Sequence, residues 1–90
     1  MKKAIITVVG KNSFGIIAKV STKLAEEKID VLDISQTIVQ GYFNMMMIVD
    51  FDACEKSISE VSTELDDIGR ELGVQIKCQL EDIFDKMHRI

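Results

Sequence analysis

Between residues 10 and 17 the chain reads Gly10-Lys11-Asn12-Ser13-Phe14-Gly15-Ile16-Ile17. The six residues before this segment, Ala4–Val9, are apolar or β-branched and predict a strand buried on both faces. After it, apolar residues recur at helical spacing, which predicts a helix from about Phe14 to Lys28. The two glycines therefore bracket a turn that joins a central strand to a helix.

The rest of the chain repeats this alternation of strand and helix. The tight turn Gln40-Gly41-Tyr42 separates two segments of period-two alternation and so predicts a hairpin. Gly73 follows a run of apolar residues at steps of three and four, where a left-handed C-terminal cap belongs. The predicted elements are strands over Val31–Gln40, Phe43–Phe51 and Val74–Leu80 and helices over Ser57–Leu72 and Asp82–Ile90.

This order predicts the α+β class: a ferredoxin-like βαββαβ sandwich over a single domain, residues 1–90. Its four-stranded antiparallel sheet carries two helices on one face, followed by a short C-terminal helix. The other face is left open, although the first strand and the middle of the third are apolar on both sides. A monomer rarely exposes such a surface, so we predict a homo-oligomer, dimer or tetramer, that covers this face or extends the sheet.

Composition excludes several classes of partner. The net charge of −4 and the pI near 4.9 argue against nucleic acid, since neutralising phosphates needs a basic face. The apolar runs are too short to cross a membrane. Cys54 and Cys78 have neither CxxC nor metal-ligand spacing, which favours reduced thiols in a cytoplasmic protein. We predict no metal site and no cofactor.

The sequence predicts no catalytic residues either. Ile16 and Ile17 stand where a phosphate-binding Gly-x4-Gly loop requires Lys followed by Ser or Thr, so nucleotide hydrolysis is excluded. Lys11 is the loop's one cation, whereas acylphosphatase-like chemistry would need an arginine there. His88 has no nucleophile patterned to it, and carboxylate pairs such as Asp66-Asp67 fit solvated faces.

The predicted helix start could still bind a ligand. The first backbone N–H groups of a helix have no partner within the helix, and they suit a carboxylate. An alternative is a tight turn without a ligand, in which Asn12 or Ser13 caps the helix. The sequence leaves both interpretations open.

Three segments resemble the ACT domain, a ferredoxin-like regulatory module of amino-acid-metabolism enzymes that also occurs as stand-alone proteins. Residues 10–17 fit the pattern Gly-x-(Asp/Asn)-x-x-Gly-Ile-(Val/Ile), Ile29–Thr37 is similar to the second strand of the family, and Phe43–Val49 to its third. The similarity covers nearly the whole chain and extends to short bacterial stand-alone members of undetermined function. Those relatives carry Asp at the position of Asn12, so this chain has one negative charge fewer in the loop.

The resemblance implies an amino acid held between the first loop of one subunit and the second strand of a neighbour. Backbone amides of the loop would face the carboxylate, and Asp33 would suit an α-amino group. The implied contacts are Asn12, Ser13, Phe14, Gly15 and Ile16 from the loop, and Asp33, Ser35 or Gln36 from the strand. From the residues alone, Asp33, Ser35 and Thr37 equally fit a solvated strand face.

Two functions follow as expectations. The first is a non-enzymatic regulatory protein that senses an amino acid or a similar small molecule at a subunit interface. The alternative is a constitutive protein–protein interaction module without a small ligand. RNA binding on the same strand order is disfavoured, because the first strand offers no stacking aromatic and the net charge has the wrong sign.

Overall fold

The structure, a computed structural model, describes residues 2–11 and 14–80. Its elements are β1 (Lys3–Lys11), α1 (Ile16–Glu26), β2 (Asp30–Val39), β3 (Tyr42–Asp50), α2 (Ile58–Leu72) and β4 (Val74–Leu80). The four strands form one antiparallel sheet in the order β2-β3-β1-β4. The predicted βαββαβ fold is therefore confirmed, and the helix predicted over 82–90 lies outside the described residues.

The ends of the helices follow from local chemistry. Ser57 caps α2 because its side chain accepts a hydrogen bond from the Glu60 N–H at 3.1 Å. The helix ends at Gly73, whose φ of 76° is left-handed and whose N–H donates to the Gly69 carbonyl. The first helix is shorter than the predicted 14–28. It begins after Gly15, whose backbone is left-handed, and it ends before its C-cap residue, Glu27.

Both helices pack on the same face of the sheet. The alternate β3 residues Met45 and Met47 are fully buried there, as the predicted strand pattern requires, whereas Met46 points to the other face. The helices contribute Ile16, Val20, Leu24, Val61 and Leu65 to this core. A single apolar layer between helices and sheet thus holds the domain together.

The face away from the helices carries apolar residues on its two central strands. The register places on it the β1 residues Ile5, Thr7 and Val9, which lie opposite the β3 residues Ile48, Met46 and Asn44, respectively. Val9 and Met46 are exposed, so an apolar patch does exist in the middle of this face. The adjoining β4 residues are polar, however: Gln75, Lys77 and Gln79. The open face is therefore an apolar strip with polar edges.

The edge strand β2 is the most exposed element. All ten of its residues are exposed, on both faces of the sheet. A register shift at Leu32 interrupts its pairing with β3, and beyond this bulge the side chains alternate as predicted. Ile34, Gln36 and Ile38 lie opposite the buried β3 residues and so share the helix face, whereas Asp33, Ser35 and Thr37 share the open face.

Gly69 is required by close packing between α2 and β4. A Cβ built on Gly69 would lie 2.7 Å from the Val74 carbonyl oxygen. Gly→Ala inside a helix ordinarily stabilises by about 0.5–1 kcal/mol. Here we expect Gly69→Ala to lower the free energy of unfolding by about 1–3 kcal/mol, because the strand must move away. The measurement is urea unfolding, with Asp67→Ala on the exposed side of α2 as the control. A Gly69→Ala protein as stable as the wild type would contradict this account.

Candidate functional site

The start of α1 is anchored in the core by its first residue, and the two residues before it are exposed. Ile16, the first helical residue, is buried in the core and anchors the helix end. Gly15 precedes it with φ 84°, and its carbonyl accepts the first helical hydrogen bond, from the Lys19 N–H at 2.9 Å. Gly15 offers no capping side chain, and the first turn of α1 has no acidic residue. The first N–H groups of the helix therefore face the β1–α1 loop.

The sequence-predicted loop residues fall into two groups. Phe14, Gly15 and Ile16 are described, and Phe14 is fully exposed while Ile16 is buried. Asn12 and Ser13 lie outside the described residues. Among the described residues, no atom lies within 4 Å of a Cβ built on Gly15. Glycine is favoured here because the backbone is left-handed.

Two exposed apolar residues that the sequence did not single out lie at the same end of the sheet. Tyr42 pairs with Lys11 on one side and with Val39 on the other, so all three mark the end where β1 leads into α1. Tyr42 and Val39 are both exposed, as is Phe14. The sequence could have indicated the location of Val39 and Tyr42, because they flank the Gln40-Gly41 turn and a hairpin turn places its neighbours at the end of the sheet.

The predicted second-strand residues lie on different faces of β2. Asp33 and Ser35 are on the open face, and the Asp33 carboxylate accepts a hydrogen bond from the Ile34 N–H at 2.8 Å. Gln36 is on the helix face, the same face as Ile16. Within one subunit β3 separates β2 from β1. The described residues of the loop and those of β2 are therefore not neighbours in the monomer.

A cluster of four charges joins the two helices. Lys23 Nζ lies 2.7 Å from Glu27 Oε2 and 3.0 Å from Glu64 Oε1, and Lys56 Nζ contacts the same two carboxylates at 2.8 and 2.5 Å. Hydrogen bonds from the lysines hold the pKa of Glu27 and of Glu64 below the usual value, and the carboxylates raise the pKa of Lys23 and of Lys56. The four charges neutralise one another, which indicates a structural role.

The two cysteine thiols in the described residues also have structural environments that explain them. Burial raises the pKa of the Cys78 thiol to about 11, so it is protonated at neutral pH and packs as a small apolar side chain. The half-buried Cys54 thiol donates to the Lys56 carbonyl at 3.6 Å. Over residues 2–11 and 14–80, no set of three metal-ligating side chains converges.

The sequence model of the ACT domain matches residues 2–79. The chain belongs to the ACT domain family. A UPF0237 protein of Bifidobacterium longum is 57% identical over 90 residues, the full length of both chains. Among solved structures, an ACT domain protein from Streptococcus pneumoniae superimposes with a TM-score of 0.81 at 43% identity, covering 92% of this chain and 93% of that one.

The regulatory subunit of an enzyme is also similar to this ACT protein. The regulatory subunit of aspartate kinase from Thermus thermophilus, in its ligand-free form, matches with a TM-score of 0.67 and 28% identity. The match covers 88% of this chain and 51% of that subunit. In the described part of the chain, neither helix is long and apolar enough to span a membrane.

The charge cluster predicts how stability depends on pH. Because the pKa of Glu64 is lowered on folding, its stabilising contribution is present above its ordinary value of 4.5 and is lost as the pH falls through the lowered value. We expect Glu64→Gln to lower the melting temperature at about pH 7, and its difference from the wild type to shrink on acidification. Thermal unfolding measured from about pH 7 to pH 3 tests this.

The matched control for Glu64→Gln is Asp66→Asn. The exposed Asp66 carboxylate pairs with Arg70 at 3.1 Å on the same helix. Exposed pairs contribute little, so Asp66→Asn should follow the wild-type curve. A constant offset between Glu64→Gln and the wild type at every pH would show that the ionised carboxylate is not what stabilises the fold.

Proposed function

We propose that this ACT protein is a non-enzymatic regulator that binds an amino acid or a similar small molecule between two subunits. The observation that carries the proposal is the exposed start of α1, where Gly15 adopts the left-handed turn and the first turn lacks an acidic side chain. N–H groups at a helix start, which have no partner within the helix itself, favour a carboxylate ligand. The similarity to a regulatory subunit of aspartate kinase supports an amino-acid-like ligand.

The proposed site takes its two halves from different subunits. Phe14, Gly15 and Ile16 would surround the ligand carboxylate together with Asn12 and Ser13. Since β3 separates the loop from β2 within a subunit, the second half comes from a neighbour. Gln36 suits this role, because it shares the helix face with the start of α1. Asp33 and Ser35 would reach a ligand from the open face, where Asp33 suits an amino group.

In this proposal the protein regulates a partner and does not catalyse a reaction. The four charges of the cluster are paired with each other, and Cys78 is a neutral buried thiol, so these groups do not supply an acid, a base or a nucleophile. We propose that residues 1–90 act as one ACT-like domain, without metal or cofactor, in the cytoplasm, where both cysteines stay reduced.

One observation favours the second candidate function, a constitutive protein–protein interaction module. Phe14, Val39 and Tyr42 are exposed at one end of the sheet, beside an edge strand that is exposed throughout. Aromatic and aliphatic side chains gathered in this way are typical of a surface that binds another protein. In that case the helix start would need no ligand.

A thermal-shift screen against the amino acids and common small metabolites separates the two functions. A ligand present at a hundredfold excess over its Kd stabilises the folded state by about 2.7 kcal/mol. We expect at least one carboxylate ligand to raise the melting temperature of the wild type and to leave that of Gly15→Ala unchanged. The added methyl would occupy the open space beside the helix start.

Gly41→Ala is the matched control for Gly15→Ala. Gly41 is also left-handed, with φ 79°, and a Cβ there also meets nothing within 4 Å. Both variants should therefore lose a similar stability, about 1–2 kcal/mol, but only Gly15→Ala should lose the ligand response. An equal response in both variants would place the ligand elsewhere. A screen without any response would favour the interaction module.

A further inference from the structure

We propose that residues 81–90, the segment that follows β4, pack on the open face of the sheet over Ile5 and Ile48. The segment would close one end of the apolar strip on that face within a single chain. This contact lies at the end of β1 opposite to the start of α1, and it does not depend on the proposed ligand.

Ile5 is a buried residue that the core beneath the helices does not explain. Its neighbours in β1, Ala4 and Ile6, are fully buried against the helices, so strand alternation directs Ile5 to the open face. Ile5 is nevertheless only 5% exposed. Among residues 2–11 and 14–80 it is the one buried apolar residue outside the core cluster. Atoms on the open face must therefore cover it.

Exposure along the two central strands locates this cover. Ile5, Thr7 and Val9 share the open face, and each has one neighbour in β3 and one in β4. The exposed fraction rises from 5% at Ile5, through the half-buried Thr7, to 48% at Val9. In β3 the half-buried Ile48 is likewise followed by the exposed Met46. The cover therefore lies over the Ile5 end of the strip and stops before Val9.

The chain leaves β4 at this same end of the sheet. Gln79, near the end of β4, lies opposite Ile5. Neighbouring strands are about 4.8 Å apart, so Ile5 and Ile48 lie about one and two strand spacings from β4. As a helix, residues 81–90 would extend about 15 Å, which is enough to cross both strands. The loop between β1 and α1 lies at the far end of the strip.

The sequence of residues 81–90 fits an apolar strip with polar edges. Its apolar residues are Ile83, Phe84, Met87 and Ile90. At 3.6 residues per turn these four fall on one side of the predicted helix, and the charged residues fall on the other. One amphipathic helix can therefore cover the apolar strands β1 and β3 and keep its charged side in water.

Charges beside the strip are complementary to those of the segment. Lys3 and Lys77 are exposed on the open face, where Lys3 precedes Ile5 by two residues and Lys77 lies opposite Thr7. The first half of the segment carries three carboxylates, those of Glu81, Asp82 and Asp85. Complementary charges around an apolar contact favour one docked arrangement over others.

A second copy stacked on the open face is the alternative occupant. Two stacked faces would cover Val9 and Met46 together with Ile5. A single chain already buries Ile5 and leaves Val9 and Met46 exposed, so the cover of Ile5 belongs to the chain itself. A partner that binds the whole strip must first displace residues 81–90.

Tryptophan fluorescence tests the docking in the full chain. The wild type has no Trp, so Phe84→Trp adds a single emitter. We expect blue-shifted emission and protection from acrylamide quenching, because the indole would lie against the sheet. The matched control is Asp85→Trp, on the charged side of the same predicted helix, whose emission should be that of a hydrated indole. Docking within one chain requires that the blue shift persist on dilution.

A charge on the strip tests where the segment docks. In the Phe84→Trp background, Ile48→Lys should shift the emission to the red and increase acrylamide quenching. Val39→Lys is the control, because Val39 is exposed on the same face at the far corner of the sheet. This substitution should leave the emission unchanged. Circular dichroism checks that both variants are folded.

A double-mutant cycle tests the same contact without a new charge. Phe84→Ala and Ile48→Ala should together lower the urea midpoint by less than the sum of their separate effects, because each removes the partner of the other. Phe84→Ala with Ile68→Ala is the control pair. Ile68 of α2 packs against the core on the other side of the sheet, so these two losses should add.

Several outcomes would overturn the inference. Equal emission from Phe84→Trp and Asp85→Trp, or additive losses for Phe84→Ala and Ile48→Ala, would exclude the docked segment. A blue shift that Ile48→Lys does not reverse would place the segment on another surface. A blue shift that disappears on dilution would assign the contact to a second copy.

Discussion

The pairing of β1 with two neighbours governs the rest of this structure. β1 lies between β3 and β4, and its alternate residues Ala4, Ile6 and Val8 form the floor of the core. Because β1 occupies the centre, each helical connection must pass over a strand to reach its destination, and both connections pass over the same face. The helices then cover the middle of the sheet and the β4 side. The last position, β2, is left as an uncovered edge.

That constraint places the two halves of the candidate site at separate positions. The end of β1 must turn sharply onto the helix face, so Gly15 takes a left-handed backbone and Ile16 enters the core at once. The edge strand, two positions away in the sheet, keeps the polar residues Ser35 and Gln36 at its middle. In the proposed function, a site made from loop and strand would be complete only when another subunit supplies the β2 half, so subunit association and ligand binding would be linked.

Much of this could be predicted from the sequence because the signals are local. The alternation along β2 and β3, the helical spacing in α2 and the glycine at 73 each report a backbone state that neighbouring residues determine. How much of the sheet the helices cover depends on packing between residues that are distant in the chain. The apolar Ile34 and Ile38 share the helix face of the sheet, yet both are exposed because the helices do not reach β2. The charge cluster was also missed, since Lys56 and Glu27 are distant in the chain.

The candidate site shows the same division between local and non-local information. The sequence predicts a turn bracketed by Gly10 and Gly15, and Gly15 has a left-handed backbone at the end of that turn. The resemblance grouped Asp33, Ser35 and Gln36 as one set of contacts, but strand alternation distributes them over two faces, and only the pairing with β3 shows which face is which. The buried methionines of β3 indicate the face of the β2 residues paired with them, because residues paired across two strands share a face.

A site divided between subunits has a thermodynamic consequence. A ligand that contacts both subunits binds the dimer more tightly than the monomer, so by linkage it must also tighten the dimer by the same factor. In the proposed assembly, the free energy of subunit association without ligand and the free energy that the ligand adds are separate quantities. Strong pairing alone would leave the ligand little to change, and weak pairing would make assembly depend on it. In the proposed function, the strength of subunit association would therefore decide whether this protein reports ligand concentration or only holds two chains together.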